Sequence, residues 1–404
     1  MFVFIAILTV RIRWEVIAGV KRISVTAHLL LAGLALLAPL LTHASAQAAT
    51  RYEAGISTSA SLLWMNDRNL DARLTDIQRL GATWIRVDFS WPSIQPKSPY
   101  VSYWEMYDRV VRAASIHHLK ILAVLDYTPA WAQEPRCAVL VITKAAGKKC
   151  SPATTTMFAT FARAAALRYK GTSIRAWELW NEPNISSYWK TTQADNHAVH
   201  ADARSYAALA NAAAYQIRHN YPDSLIITGG LGPMFQPVYP KGIRQSDFLA
   251  VVLPLLNPAL FDGIGIHPYS WPALPTTAAL WSAFYTVDHG PPAYNLRAVM
   301  ARAGWGNKQL WGTEFGAPTK GVSTVVIPTP TSRPDHVSEA IQAQIVAQGL
   351  RAWYQKGNVG PLFIHSDSDQ WLPQIKNEGG FGLRRSDGTK KPAYDAFQKI
   401  VQAL

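Results

Sequence analysis

Eight short apolar runs, separated by amphipathic stretches, constrain this chain more than any other feature. The runs lie at 52–57, 83–91, 120–127, 175–184, 224–231, 262–270, 309–318 and 360–367. ILAVL at 121–125 and LIIT at 225–228 are continuous rather than alternating, the mark of strands covered on both faces. The intervening stretches at 69–80, 103–118, 154–169, 205–220, 247–256, 294–303, 338–355 and 391–401 carry apolar residues three and four apart, as in Tyr107, Val110, Val111 and Ala114. Gly81, Gly171 and Gly304 follow three of them, where a left-handed cap ends a helix. Eight strand–helix units predict an α/β chain with one (β/α)8 barrel over residues 49–404. A doubly wound sheet is the rival, but no G-x-G-x-x-G follows the first strand. The long connections at 128–153, 185–204, 270–292 and 319–337 all follow strands, so a barrel gathers them on one face.

Residues 1–48 stand outside that pattern. Arg11, Arg13, Lys21 and Arg22 precede an apolar run ending at Leu41, then small residues around Ala46 and Ala48. A basic flank, a short apolar run and an A-x-A site read as a signal peptide. The run meets Pro39 and falls short of the ~20 residues a membrane span needs. The expectation is a cleaved export segment and a secreted or periplasmic protein, with an uncleaved membrane anchor as the alternative. Export puts Cys137 and Cys150 in an oxidising compartment, where a bridge closing about 14 residues contributes roughly 3 kcal/mol. Two free thiols are the other possibility.

Hydrophobic residues make up 49% of the chain and charged residues 16%, which excludes a disordered chain. The formal charge is +13, and losing the export segment leaves it strongly positive. That balance favours acidic partners but does not select one. No helix-turn-helix, RNP or finger pattern points to nucleic acid, and neither G-x-S-x-G nor a P-loop is present. His197 and His200 form an isolated H-x-x-H that suggests metal only weakly. No metal or cofactor is expected, and the protein is read as a monomer.

Two strand ends carry the chemistry. The fourth reads Trp177-Glu178-Leu179-Trp180-Asn181-Glu182-Pro183-Asn184 and the seventh Leu310-Trp311-Gly312-Thr313-Glu314-Phe315-Gly316. Each runs a glutamate from an apolar strand into a loop, and a barrel turns both toward one pocket. Two carboxyls across a pocket suit glycosidic cleavage, one protonating the leaving oxygen and one remaining ionised. Glu178 lies on the face of Glu182 but roughly 7 Å deeper, and reads as a structural acid.

These motifs, with Arg86, Tyr127-Thr128-Pro129-Ala130-Trp131 and His267-Pro268-Tyr269, resemble glycoside hydrolase clan A. The closer likeness is to family 39 and related bacterial exopolysaccharide-degrading glycosidases. The resemblance implies retention, with Glu182 as acid/base and Glu314 as nucleophile. It further implies Asn181 on the sugar 2-hydroxyl, Arg86 and Tyr269 against Glu314, and His267 on the same floor. It departs from the clan at strand eight, where Pro361-Leu362-Phe363-Ile364-His365-Ser366-Asp367 lacks the clan's tryptophan and Trp371 follows in the loop.

Asp88 and Asp126 end strands two and three, each a sugar ligand or a loop cap. Trp91, Trp131, Tyr188, Trp189, Trp271 and Trp371 are candidate sugar platforms. Asp367 and Asp369 are expected in a solvated turn, and the Asn184-Ile185-Ser186 sequon is expected to be unused. The leading expectation is a β-glycosidase acting on a polysaccharide. A non-catalytic carbohydrate-binding barrel and a membrane-anchored component of polysaccharide export are the alternatives.

Overall fold

In the computed structural model, eight parallel strands close into one barrel in chain order. The described residues are 52–140, 147–191, 201–234, 242–320, 336–370 and 378–404. The expected export segment, His197, His200 and Trp371 lie outside them. The strands are β1 (Ala54–Ser59), β2 (Trp84–Ser90), β3 (Lys120–Asp126), β4 (Ile174–Asn181), β5 (Leu225–Gly230), β6 (Gly263–Ile266), β7 (Gln309–Phe315) and β8 (Val359–His365). The main helix after each is α1 (Asp67–Arg79), α2 (Glu105–Ile116), α3 (Thr155–Tyr169), α4 (Ala203–Asn220), α5 (Gln245–Val252), α6 (Leu296–Arg302), α7 (Glu339–Gln355) and α8 (Pro392–Ala403).

The apolar residues segregate into two cores. A large one fills the space between barrel and helices. A smaller one, built from Trp84, Leu122, Ala176, Ile227, Trp311 and Phe363, plugs the barrel from within. Trp84 meets Trp311 edge-on, with ring centroids 5.4 Å apart. Interior and exterior alternate along each strand. On β2 the interior series is therefore Trp84, Arg86 and Asp88, running from plug to mouth.

Several strands stop short of their apolar runs. β6 ends at Ile266, two residues before Pro268, which has no N–H for a ladder. β7 ends at Phe315, before Gly316 turns the chain at φ 154°. α5 ends at Val252, just ahead of Pro254. Among the described residues no helix is long and apolar enough to cross a membrane. Cys137 and Cys150 are joined in a disulfide, Cα atoms 5.8 Å apart, tying a short helix (Pro135–Leu140) to the end of the β3–α3 loop.

Candidate active site

Above the apolar plug lies a polar layer organised by one buried cation. Arg86 is only 1% exposed, so its charge has to be met by protein groups. Its Nε and Nη2 donate to Glu178 at 2.6 and 3.2 Å. Nη1 donates to Glu314 Oε1 at 2.7 Å, and Nη2 also reaches Asn181 Oδ1 at 2.8 Å. The planar donor fork thus spans β4 and β7, which a lysine's point charge could not do. Glu178 also accepts from the Gly230 N–H at 2.7 Å and from Thr313 Oγ1 at 3.1 Å. It is a structural acid, fully consumed by its partners.

Thr313 and Glu314 are consecutive, yet both reach the interior. Shifts in the β7–β8 register between Gly312 and Phe315 allow this. At the tip of β4, Trp180 and Glu182 take φ of 80° and 47°, left-handed conformations that side chains rarely adopt. They swing Glu182 over the mouth, and its N–H is anchored on the Gly230 carbonyl at 2.9 Å. Gly232 makes room, because a Cβ there would fall 2.5 Å from Glu182 Oε1. Asn184 fastens the turn: its side chain accepts from the Gly232 N–H at 2.9 Å and donates to the Gly232 and Ile243 carbonyls. With its amide buried and bonded in this way, the sequon has no room for a glycan.

His267 connects the two glutamates. Its Nδ1 is 2.9 Å from Glu182 Oε1 and 3.7 Å from Glu314 Oε2. The sum of those distances caps the separation of the two oxygens at about 6.6 Å. Tyr269 donates to Glu314 Oε2 at 3.0 Å. Both glutamates, Asp88, Asn181 and Tyr269 line a cavity of about 450 Å³.

The charges are set by their neighbours. Burial alone would raise Glu314, but His267, His365, Arg86 and the Tyr269 hydroxyl outweigh it and hold the carboxyl at about 2. Burial opposes protonation of His267, yet Glu314 and Glu182 push its pKa up. Burial lowers His365. Asp88 is pushed up to about 6, burial prevailing over the attraction of Arg86. Asp126 is held well above its usual range by burial and by Asp88.

The structure brings Arg86, Asp88, Asn181, Glu182, His267, Tyr269 and Glu314 together. Trp91 and Trp131 are not among the residues that line this cavity. Trp91 is fully buried, opening a short helix (Trp91–Ile94) and stacking on Phe161 with centroids 5.5 Å apart. Trp131 lies edge-on to Trp91 and donates to the Gln95 carbonyl at 2.8 Å. Trp189 is core as well, whereas Tyr188 and Trp271 line the cavity. Asp367 and Asp369 are not solvated: both are buried, paired with Arg73 and Lys391. Sequence reasoning missed His365 and Phe381 as cavity walls. The Phe381 ring packs 5.3 Å from His365 and 5.7 Å from Tyr269. Phe381 sits in a loop with no periodic signal, so nothing local pointed to it.

The family model for cellulases (glycosyl hydrolase family 5) matches residues 45–349. A search of curated proteins found no match. Among solved structures, a family 39 glycoside hydrolase from Bacteroides cellulosilyticus is similar with a TM-score of 0.61 and 22% identity, over 86% of this chain and 63% of that one. A family 39 β-xylosidase from Caulobacter crescentus gives 0.59 and 19%, over 88% and 72%. An endo-β-1,4-glucanase from Xanthomonas axonopodis pv. citri gives 0.55 and 15%, over 87% and 100%. The chain spans less than two thirds of the first of these, and at such identities the likeness speaks for the fold. The matching model is that of family 5, while the similar structures include enzymes of families 5 and 39, both in clan A.

Proposed function

The chain belongs to the cellulase family, glycosyl hydrolase family 5, and on that premise we propose that it hydrolyses β-glycosidic bonds of a polysaccharide by double displacement, with Glu314 as nucleophile and Glu182 as acid/base. The observation that carries this is the sharing of His267 by the two glutamates, which caps their nearest oxygens at about 6.6 Å. Retention needs carboxyls about 5–5.5 Å apart, and inversion about 6.5–9.5 Å to admit a water. The cap meets only the bottom edge of the inverting range.

In the first step a Glu314 oxygen attacks the anomeric carbon. The bond to the leaving oxygen breaks as Glu182 delivers its proton there. In the second step Glu182 takes a proton from water, the water oxygen attacks the same carbon, and Glu314 leaves. Glu314 suits the first role because it is held ionised at about 2. Arg86 on Oε1 and Tyr269 on Oε2 fix its orientation, and preorganised donors of this kind spend little energy in reorienting as charge shifts. Asn181 keeps its Oδ1 on Arg86 and lines the cavity, which leaves its amide nitrogen available to a sugar hydroxyl. The reading includes export to the periplasm or medium, supported by the basic–apolar–small order of residues 11–48.

The test is azide rescue. Glu314→Ala should lose turnover by on the order of a thousandfold or more. Azide should restore release of the leaving group and yield a glycosyl azide of inverted configuration. Full activity in that variant would remove the assignment. In the same assay Glu182→Ala should slow poor leaving groups by about 10²–10⁴ and activated aryl glycosides far less; equal loss on both would remove the acid role.

A further inference from the structure

We propose that Lys148 and Lys149, on the disulfide-tied β3–α3 loop, form a subsite for a carboxylate-bearing sugar at the edge of the catalytic cavity. This rests on the hydrolase reading above and deepens it: the preferred polysaccharide is an acidic one.

The geometry is specific. Lys149 Nζ lies 3.7 Å from the Tyr188 ring centroid and 4.8 Å from that of Tyr127. Lys148 Nζ lies 4.8 Å from the Tyr127 centroid. Both rings line the cavity that contains Glu182. The backbone beneath is pinned: Lys148 O accepts from the Thr128 N–H at 2.8 Å, Lys149 O accepts from Lys190 N–H at 2.9 Å, and Cys150 is locked to Cys137. The loop that carries them is therefore fixed beside the two tyrosines, and a preordered loop loses less entropy on binding.

Their charge has no direct partner. Among the described residues neither lysine makes an ion pair or a side-chain hydrogen bond. The chain treats comparable cations differently: Lys391 is paired with Asp369, Lys356 with Asp288 and Arg384 with Asp76. The charged groups facing the pair are Asp88, Asp126, Glu182 and Lys190. Burial raises Asp126, and among the described residues neither of its carboxyl oxygens bonds to a lysine. Burial first, then Lys148, lowers Lys149 to about 8, so it remains mainly charged at neutral pH. An incoming carboxylate offsets both burial and mutual repulsion by supplying an opposite charge. A neutral sugar relieves neither.

The test compares a β-1,4-linked tetramer of glucuronate with cellotetraose, which share a backbone and differ in the C6 carboxylates. Binding is measured by calorimetry to Glu314→Gln, which should prevent turnover. The acidic tetramer should bind tighter by on the order of tenfold at low ionic strength, the advantage shrinking as salt screens it. Changing both Lys148→Gln and Lys149→Gln should collapse the ratio toward one, while Lys→Arg at both positions should retain it. If the glutamine pair fails to fold, the salt dependence and the arginine pair still decide. Equal affinity for the two tetramers, binding of neither, or a preference that survives in the glutamine pair overturns the subsite. The hydrolase reading is judged separately. Reducing ends released from neutral β-glucan and lost in Glu314→Ala sustain it without any acidic preference, and an acidic preference with no turnover of any polymer removes it while the subsite stands.

Discussion

The floor under Arg86 and the wall made by β2 and β3 are neighbours in one barrel, and each buries carboxyl groups. Glu178 and Glu314 receive a guanidinium, a threonine, a tyrosine and a backbone N–H. Asp126 is as deeply buried, and among the described residues both its oxygens lack partners. The result is opposite: Glu314 is held at about 2, whereas Asp126 is driven well above its ordinary range and Asp88 to about 6. Residue type therefore does not set charge in this cavity. Direct hydrogen-bonding partners, present at Glu314 and absent at Asp126 among the described residues, do.

The hardest blow to that contrast is Arg86→Met. It leaves Glu178 and Glu314 buried without their cation, and removing one partner of a buried pair costs about 3–5 kcal/mol. Urea unfolding at pH 7 should show a loss of that size, shrinking as the pH is lowered and the abandoned carboxyls take up protons. A loss under about 1 kcal/mol would mean that Arg86 is an ordinary ion pair and not the organiser of the floor.

How much of this was readable beforehand follows from where each signal resides. The barrel was legible because burial on both faces writes itself as continuous apolar runs, and helices as three-and-four spacing. Glu178 and Glu182 were separable because four residues along a strand set their depths apart. The loops carried no such code. A tryptophan after a strand reads the same whether it faces solvent sugars or, like Trp91 and Trp189, the core. Only the helix packed beneath Trp91, through Phe158 and Phe161, decides the matter. His365, Phe381 and the Lys148–Lys149 pair join the site through contacts distant in sequence, which periodicity cannot report. The left-handed turn at Glu182 was invisible too, since an extended reading of β4 carries straight through it.

A finer probe is the acid limb of stability. Glu314 is lowered, so its contribution is present above its unfolded value, near 4.5, and is lost as pH falls through about 2. Wild type should lose stability steadily between those limits, and Glu314→Gln should lose less across the same interval. Parallel slopes for the two proteins would mean that the Arg86 and His267 charges do not govern this carboxyl.

The smallest expected effect lies on the other wall and has the opposite sign. Asp126 is raised, so the folded state binds its proton more tightly than the unfolded chain does. The stability it contributes is complete below about pH 4 and declines as pH rises toward its folded value. Asp88 adds a decline in the same direction, finishing near pH 6. Asp126→Asn keeps the shape and forfeits no hydrogen bond to the described residues, because neither oxygen makes one there. It should sit within about 1 kcal/mol of wild type at pH 4 and gain on it at pH 5, 6 and 7. Urea midpoints at those four values measure the trend. A difference that stays constant with pH would show that Asp126 is solvated or paired, and that the two walls hold their carboxyls in the same way.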